Sequence, residues 1–303
     1  MVQEKKPGIR VTEDCHFTPE NMALLQRDFD LSPYPNIVNG LIIPRNNLIP
    51  HTWDYQNLRV LATPTTSIDH ISEDYKKKYD ILSLENDPIL QQITSTAEHT
   101  LGLIMAVHRS IPASSAAAQA HYAKEPEWDR YKWPAPRMLS QMTLGILGYG
   151  RVGKHLQGMI DGLFKDMVTV DTYCIGQYLQ TFLREIDILC ITASPSKVLL
   201  HIGYPELCLL PHNAIVINTS RSEFLDIHAA VSLVKTEHLW GLGLDTIPYE
   251  NDPQQRNKLL TSIRHPRIVI TPHIAGSTRD AWDMTQKALI KKLVEYFKNE
   301  EES

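Results

Sequence analysis

Short apolar runs along the chain are separated by stretches in which apolar positions recur every three or four residues. Ile9–Thr12, Gly40–Ile43, Leu58–Leu61 and Ile81–Leu84 predict strands. Thr18-Pro19-Glu20 reads as an N-cap, a proline at the first helical position and an acidic first turn, opening a helix through Phe29. Ser72–Tyr79 predicts a second helix. Strands alternating with helices in this way argue for a parallel α/β sheet. Thr96 to His108 is apolar over most of its length and predicts a buried helix. Residues 124–137 carry Pro126, Trp128, Trp133, Pro134 and Pro136, which suits an ordered connector rather than an element. Beyond it, strands are expected at Leu144–Leu147, Met167–Val170, Ile188–Thr192, Ala214–Asn218, Leu242–Leu244 and Ile268–Ile270, with a helix at Asp226–Lys235 among the intervening patterns. The last stretch, Thr278 to Asn299, is a long amphipathic helix.

The strand at Leu144–Leu147 runs directly into Gly148-Tyr149-Gly150-Arg151-Val152-Gly153, and a helix-like segment follows. A dinucleotide site needs that context. The first glycine permits a tight turn, the second lets the backbone approach a pyrophosphate, and the third lets helix and strand pack closely. The helix start offers N–H groups and a positive dipole end to phosphate. Asp171, eighteen residues beyond Gly153, ends the next strand. A carboxylate there accepts hydrogen bonds from an adenosine ribose diol and repels a 2′-phosphate, which selects NAD over NADP.

At 303 residues the chain is long enough for two domains. Hydrophobic residues are 43% and charged residues 21%, ordinary for a globular protein. A net charge of -5 gives no reason to expect nucleic acid or an anionic membrane as partner. Lys76-Lys77-Lys78 reads as a solvated helix face. The opening residues lack an apolar stretch typical of a signal peptide, and no run is long enough to span a membrane, so a cytoplasmic location is expected. Cys15, Cys174, Cys190 and Cys208 are scattered and read as reduced, mostly buried thiols. No His, Cys, Asp and Glu residues fall at metal-ligand spacing, so no metal is expected.

Three later stretches place charged residues just after apolar runs: Ile217-Asn-Thr-Ser-Arg221, Gly243-Leu-Asp245-Thr-Ile-Pro-Tyr-Glu250 and Ile270-Thr-Pro-His273-Ile-Ala-Gly276. In an open α/β sheet, loops at the carboxyl ends of strands line the ligand crevice. Hydride transfer from a nicotinamide to a carbonyl also requires a proton on the carbonyl oxygen. Histidine suits the proton, with an unperturbed pKa of about 6.5. His273 therefore reads as the acid/base residue, with Glu250 stabilising its imidazolium; Asp252 and Glu223 are the competing acids. Arg221 offers a fixed cationic fork to a substrate carboxylate and polarises the carbonyl. There are 13 histidines, so His273 carries weight only within this set. Glu98 and His99 on the long helix read as residues for packing and interdomain hydrogen bonds.

These motifs, together with Thr96-Ala-Glu-His-Thr, resemble in order and over almost the whole chain those of the NAD-dependent D-isomer-specific 2-hydroxyacid dehydrogenases. The resemblance implies two Rossmann-like or flavodoxin-like α/β domains with parallel sheets and an interdomain cleft. Residues 1–100 with 278–303 would form the substrate domain and 101–277 the NAD-binding domain. It further implies backbone N–H groups of Thr65, Thr66 and Ser67 on the substrate carboxylate, and Arg151 and Val152 at the pyrophosphate. Ser194, Thr219 and Asp245 would lie on the nicotinamide side and Gly276 would also bind the cofactor, in a homodimer. The sequence departs from the family where glycines are usual: Thr65, Ser67 and Ser222 stand there, and Asn251 replaces a proline. A changed loop shape or substrate is expected at 65–67. The segment from Asp171 to Asp187 is short. Arg45, with Pro44 competing for its position, is a candidate contact for a substrate phosphate. The alternative is a dinucleotide-responsive, corepressor-like binding protein on the same fold.

Overall fold

The computed structural model describes residues 6–12, 15–31, 34–43, 55–68, 70–120, 128–171, 176–194 and 200–301. Pro44, Arg45, Asp69 and Cys174 lie outside them. The chain divides into two compact units, residues 1–93 with 277–303, and residues 94–276.

The first unit holds a five-stranded parallel sheet. Its strands are β1 (Gly8–Val11), β2 (Asp30–Leu31), β3 (Gly40–Ile42), β4 (Val60–Ala62) and β5 (Asp80–Leu82), in the order β2-β1-β3-β4-β5. On one face Ile9, Ile42, Val60 and Ala62 pack with Leu25 of the Pro19–Asp28 helix and with Leu289, Ile290, Leu293 and Phe297 of the Arg279–Glu301 helix. Each of the Val, Leu, Ile and Phe side chains contributes roughly 1.5–3 kcal/mol when fully buried. The first helix begins as its sequence predicts: the Thr18 side chain accepts from Asn21 N–H, with Pro19 next. Buried Asn21 donates to Asp283 and to Gln286 Oε1 at 3.1 Å, which ties the two helices together. Ser72 caps the Glu73–Lys78 helix, with two acids in its first turn and Lys76, Lys77 and Lys78 in its last, as the helix dipole favours.

The second unit holds a six-stranded parallel sheet: β6 (Thr143–Leu147), β7 (Asp166–Val170), β8 (Ile188–Ile191), β9 (Ala214–Asn218), β10 (Leu239–Leu244) and β11 (Ile268–Ile270). Their order is β11-β10-β9-β8-β6-β7. Ile188 and Cys190 face one core and Leu189 and Ile191 the other, as Ile215 and Ile217 oppose Ala214 and Val216. Strands buried on both faces explain why they read as unbroken apolar runs. One face is covered by the Ser95–His108 and Arg151–Met159 helices, the other by the Gln177–Glu185, Ile227–Lys235 and Pro253–Ser262 helices. Asp226 caps the Ile227–Lys235 helix by accepting from Ala229 N–H. Cys15, Cys190 and Cys208 are free thiols. No helix among the described residues is long and apolar enough to cross a membrane.

His108 ends the Ser95–His108 helix with only 3% of its surface exposed, and Nε2 donates to Arg137 O at 2.8 Å. Burial lowers its pKa, aided by the charge of Arg109 and partly opposed by the bond to Arg137. The unfolded chain therefore takes up a proton near pH 6.5 while the folded chain resists it. The stability is fully present above about 6.5 and falls as pH drops through that value. Melting temperatures from pH 7 to 5 should fall less steeply in His108→Leu than in the parent chain; equal slopes would contradict this.

Candidate active site

The six strands of the second unit end in register. Val170 pairs with Leu147, Leu147 with Ile191, Ile191 with Asn218, Asn218 with Leu244, and Leu244 with Ile270. Every candidate residue of this unit follows one of those ends: Asp171 after β7, the glycine loop after β6, Ser194 after β8, Thr219 and Arg221 after β9, Asp245 and Glu250 after β10, and His273 and Gly276 after β11. The ladder continues into the loops, where Gly148 N–H donates to Val170 O, Thr192 N–H to Leu147 O, Asp245 N–H to Asn218 O and Thr271 N–H to Leu244 O. Parallel strands lie about 4.8 Å apart, so β7 and β11 stand roughly 24 Å apart across five intervals. β6 pairs with β7 on one side and β8 on the other, the point where the strand order reverses and α/β sheets bind ligands.

The glycine loop fits a dinucleotide pyrophosphate on steric grounds. Gly148 has φ 95°, and a Cβ there would lie 2.4 Å from Ala193 Cα. No other residue is accommodated without moving the β8 exit. A Cβ on Gly153 would meet Gly148 O at 2.9 Å, so that glycine lets the helix pack down on the turn. Beside Gly150 a Cβ would meet nothing within 4 Å, which leaves the approach to the backbone open. The Arg151–Met159 helix starts at Gly150 without a side-chain cap, and a helix start directs N–H groups and a positive dipole end toward an anion. Arg151 and Val152 occupy its first turn, and burial lowers the Arg151 pKa. Asp171 and Ser194 are exposed at their strand ends.

Glu250 and His273 come together although 23 residues separate them: Glu250 Oε2 lies 2.7 Å from His273 Nδ1. The carboxylate is oriented by Ile247 N–H, which donates to Oε1 at 3.2 Å, and Arg256 donates to the Glu250 carbonyl at 2.7 Å. Asp252 is instead the N-cap of the Pro253–Ser262 helix, accepting from Gln254 and Gln255 N–H. Glu223 is exposed in the short 3-10 turn Ser222–Phe224. Arg221 follows buried Asn218, whose side chain accepts from Ser220 N–H at 3.0 Å and donates to Arg221 O at 2.8 Å. Arg221 Nη1 donates to Ser220 O at 3.0 Å.

His273 has φ 55°, a left-handed conformation that costs a non-glycine residue about 1–3 kcal/mol. Asp245, 1% exposed, holds it there from both sides. Its carbonyl accepts His273 N–H at 2.9 Å, while its carboxylate accepts Ile274 N–H and Ala275 N–H, each at 2.9 Å. Thr271 Oγ1 adds a third carboxylate bond at 2.6 Å. Burial pushes the Asp245 pKa up, but the bonds from His99, Thr271, Ala275 and Ile274 outweigh it and hold the carboxyl below its ordinary value. Thr219 is also buried, its hydroxyl 2.8 Å from Thr100 Oγ1. The side chains of Asp245 and Thr219 are thus engaged within the protein. Sequence reasoning saw both residues but not these bonds.

In the first unit, Thr65, Thr66 and Ser67 follow β4. Thr65 Oγ1 donates to Ser67 O at 2.7 Å and lies 2.9 Å from Thr63 Oγ1. None of the three has positive φ, so the loop needs no glycine. Side-chain bonds brace a turn that glycine would leave free. Among the described residues no group of three His, Cys, Asp or Glu side chains could hold a metal ion.

Residues 101–275 match the family model described as D-isomer specific 2-hydroxyacid dehydrogenase, NAD binding domain. The chain is 27% identical over 261 residues to the glyoxylate reductase of Thermococcus litoralis, covering 80% of this chain and 75% of that protein. It is 24% identical over 264 residues to the glycerate dehydrogenase of Methylorubrum extorquens, covering 84% and 82%. Its fold is similar to that of the D-lactate dehydrogenase from Aquifex aeolicus complexed with NAD and lactic acid, with a TM-score of 0.73 at 19% identity over 97% of this chain and 96% of that one. The chain belongs to the D-isomer specific 2-hydroxyacid dehydrogenase family and carries that family's NAD binding domain.

Proposed function

We propose that this protein interconverts a small 2-oxo acid and its D-2-hydroxy acid with NAD as the redox partner. The observation that carries the reading is the 2.7 Å Glu250–His273 pair at the carboxyl edge of the same sheet whose first strand ends in the glycine loop. The bound nicotinamide supplies or accepts the hydride. Everything else falls to side chains of the protein. With Nδ1 bonded to Glu250, His273 gives a proton to the carbonyl oxygen from Nε2 during reduction and takes it back during oxidation. Glu250 fixes the ring tautomer and stabilises the imidazolium. Arg221 binds the carboxylate with its planar fork and draws charge toward the carbonyl oxygen. In the first unit, backbone N–H groups of Thr65, Thr66 and Ser67 are substrate-binding groups. Gly148, Gly150, Arg151, Val152 and Gly153 hold the pyrophosphate, Asp171 the ribose diol, and Ser194 and Gly276 border the nicotinamide side.

The substrate class is a short 2-oxo acid such as glyoxylate or hydroxypyruvate, in keeping with the names of the glyoxylate reductase and glycerate dehydrogenase relatives. A panel of 2-oxo acids with NADH, followed by absorbance, tests it. Turnover with at least one member is expected. No turnover with any of them, alongside NADH-dependent capture of a partner protein, contradicts it and favours the corepressor-like alternative. Asp171→Ala is expected to weaken NADH binding about tenfold and to narrow the preference over NADPH; equal affinity for both in the parent chain would contradict the role of Asp171. A homodimer in the cytoplasm completes the proposal. Ile111, Trp128, Tyr131 and Met138 are 49%, 73%, 81% and 68% exposed on the second unit, which suits a subunit face. Light scattering should return twice the 34.5 kDa chain mass.

A further inference from the structure

The Ser95–His108 helix packs on β9, β10 and β11 of its own sheet, and two adjacent residues on it reach the loops that carry His273 and Arg221. His99 Nε2 lies 2.9 Å from Thr271 Oγ1, whose hydroxyl donates to Asp245 Oδ1 at 2.6 Å. A hydroxyl has one proton and a carboxylate only accepts, so His99 is the donor and carries its proton on Nε2. The same nitrogen is 3.4 Å from Asp245 Oδ1. Asp245 in turn clamps the backbone on both sides of His273. Next along the helix, Thr100 gives its proton to Thr96 O at 2.7 Å. Thr219 must therefore donate to Thr100 across their buried 2.8 Å contact, two residues before Arg221.

The helix is seated close enough to do this because β10 presents glycine beneath it. A Cβ at Gly243 would lie 3.2 Å from Val107 Cγ2 and 3.5 Å from Leu103 Cβ. A larger residue would lift the helix from the sheet.

We propose that His99 and Thr100 are positioning residues of the reaction: His99, through Thr271 and Asp245, fixes the His273 loop, and Thr100, through Thr219, fixes the Arg221 loop. One rigid helix thereby sets the proton donor and the carboxylate anchor in a common register. This rests on the roles given above to His273 and Arg221. Neither positioning residue touches the reacting atoms, so their effects separate according to the loop each one holds.

Steady-state kinetics on His99→Leu and Thr100→Val test the assignment. His99→Leu should lower kcat about tenfold or more and leave KM for the 2-oxo acid within about twofold. Thr100→Val should raise that KM about tenfold and lower kcat by a smaller factor, because the displaced Arg221 fork both binds the carboxylate and polarises the carbonyl. Thr271→Val and Thr219→Val sever the same links from the loop side and should reproduce the split. His99→Gln and Thr100→Ser, which keep a donor and a hydroxyl, should recover most of the loss. In cofactor-free protein, the NMR signal of the His273 ring, identified by its loss in His273→Gln, should shift in His99→Leu and stay in place in Thr100→Val. Parallel losses in kcat and KM that track melting temperature would overturn the proposal, as would an unchanged His273 ring signal in both His99→Leu and Thr271→Val. If the parent chain reduces no 2-oxo acid, the functional reading fails by itself. The ring signal then decides the His99 link alone: a shift supports it and no shift overturns it.

Discussion

His273→Gln is expected to lower kcat about 10³-fold while NADH still binds with near-parent affinity. A positioned proton donor contributes about 10²–10⁴ in rate, and glutamine can occupy the space without exchanging a proton. Binding should survive because the glycine loop proposed to hold the pyrophosphate lies at the end of β6, three places along the sheet from β10 and four from β11. Glu250→Gln should show a smaller loss of the same kind, since the ring keeps a neighbour at Nδ1 but not the charge that favours its protonated form. NADH fluorescence titration beside steady-state kinetics separates the two effects. Parent-like turnover in His273→Gln would remove the acid/base assignment. Loss of NADH binding together with turnover would relocate the residue to the cofactor site.

Arg221→Gln is expected to lower kcat/KM for the 2-oxo acid about 10²–10³-fold, equivalent to roughly 3–4 kcal/mol. Removing the guanidinium leaves a substrate carboxylate without its fixed counter-charge. Arg221→Lys should recover only part of this, because an ammonium keeps the charge and loses the fork. The loss should appear in both KM and kcat, since the same fork binds the carboxylate and polarises the carbonyl. A change confined to NADH affinity would contradict the assignment. The Asn218 side chain, bonded to Ser220 N–H and Arg221 O, fixes this loop locally, so a folded variant is expected.

Much of this architecture was legible because the candidate residues sit where secondary structure ends. Buried parallel strands read as apolar runs, and β6, β8, β9 and β11 begin and end within a residue of the run that predicts each of them. The residues that follow those ends could then be named as neighbours without any contact being visible. Pairing of Glu250 rather than Asp252 or Glu223 with His273 followed from spacing, and the structure gives Asp252 a helix cap instead. What pattern could not supply were features created by tertiary packing. The two-residue strand Asp30–Leu31 has too few positions for a period, and the Ala- and Ser-rich Ile111–Gln119 helix has no strong apolar face. The left-handed φ of His273 leaves no mark on the sequence, because Asp245 enforces it from 28 residues away. Asp245 and Thr219 were placed on the nicotinamide side by resemblance, whereas their bonds to Thr271 and Thr100 arise from how one helix lies on three strands. The Thr96-Ala-Glu-His-Thr segment was visible as a motif and His99 was read as a packing and interdomain hydrogen-bonding residue, whereas it bonds Thr271 within its own unit, and Thr100 carried no reading of its own. The glycine-free 65–67 loop pointed to an altered shape, and it is held by Thr65 bonding Ser67 O.

In the proposed reaction the Glu250–His273 pair, Arg221 and the glycine loop together serve stereospecific hydride transfer between NAD and a 2-oxo acid. Chiral analysis of the product formed with NADH from the best 2-oxo acid substrate tests it most directly. One D-2-hydroxy acid per NADH consumed by the parent protein, and almost none from His273→Gln at equal NADH occupancy, is the predicted result. An L or racemic product, or no product while NADH binds normally, would contradict it.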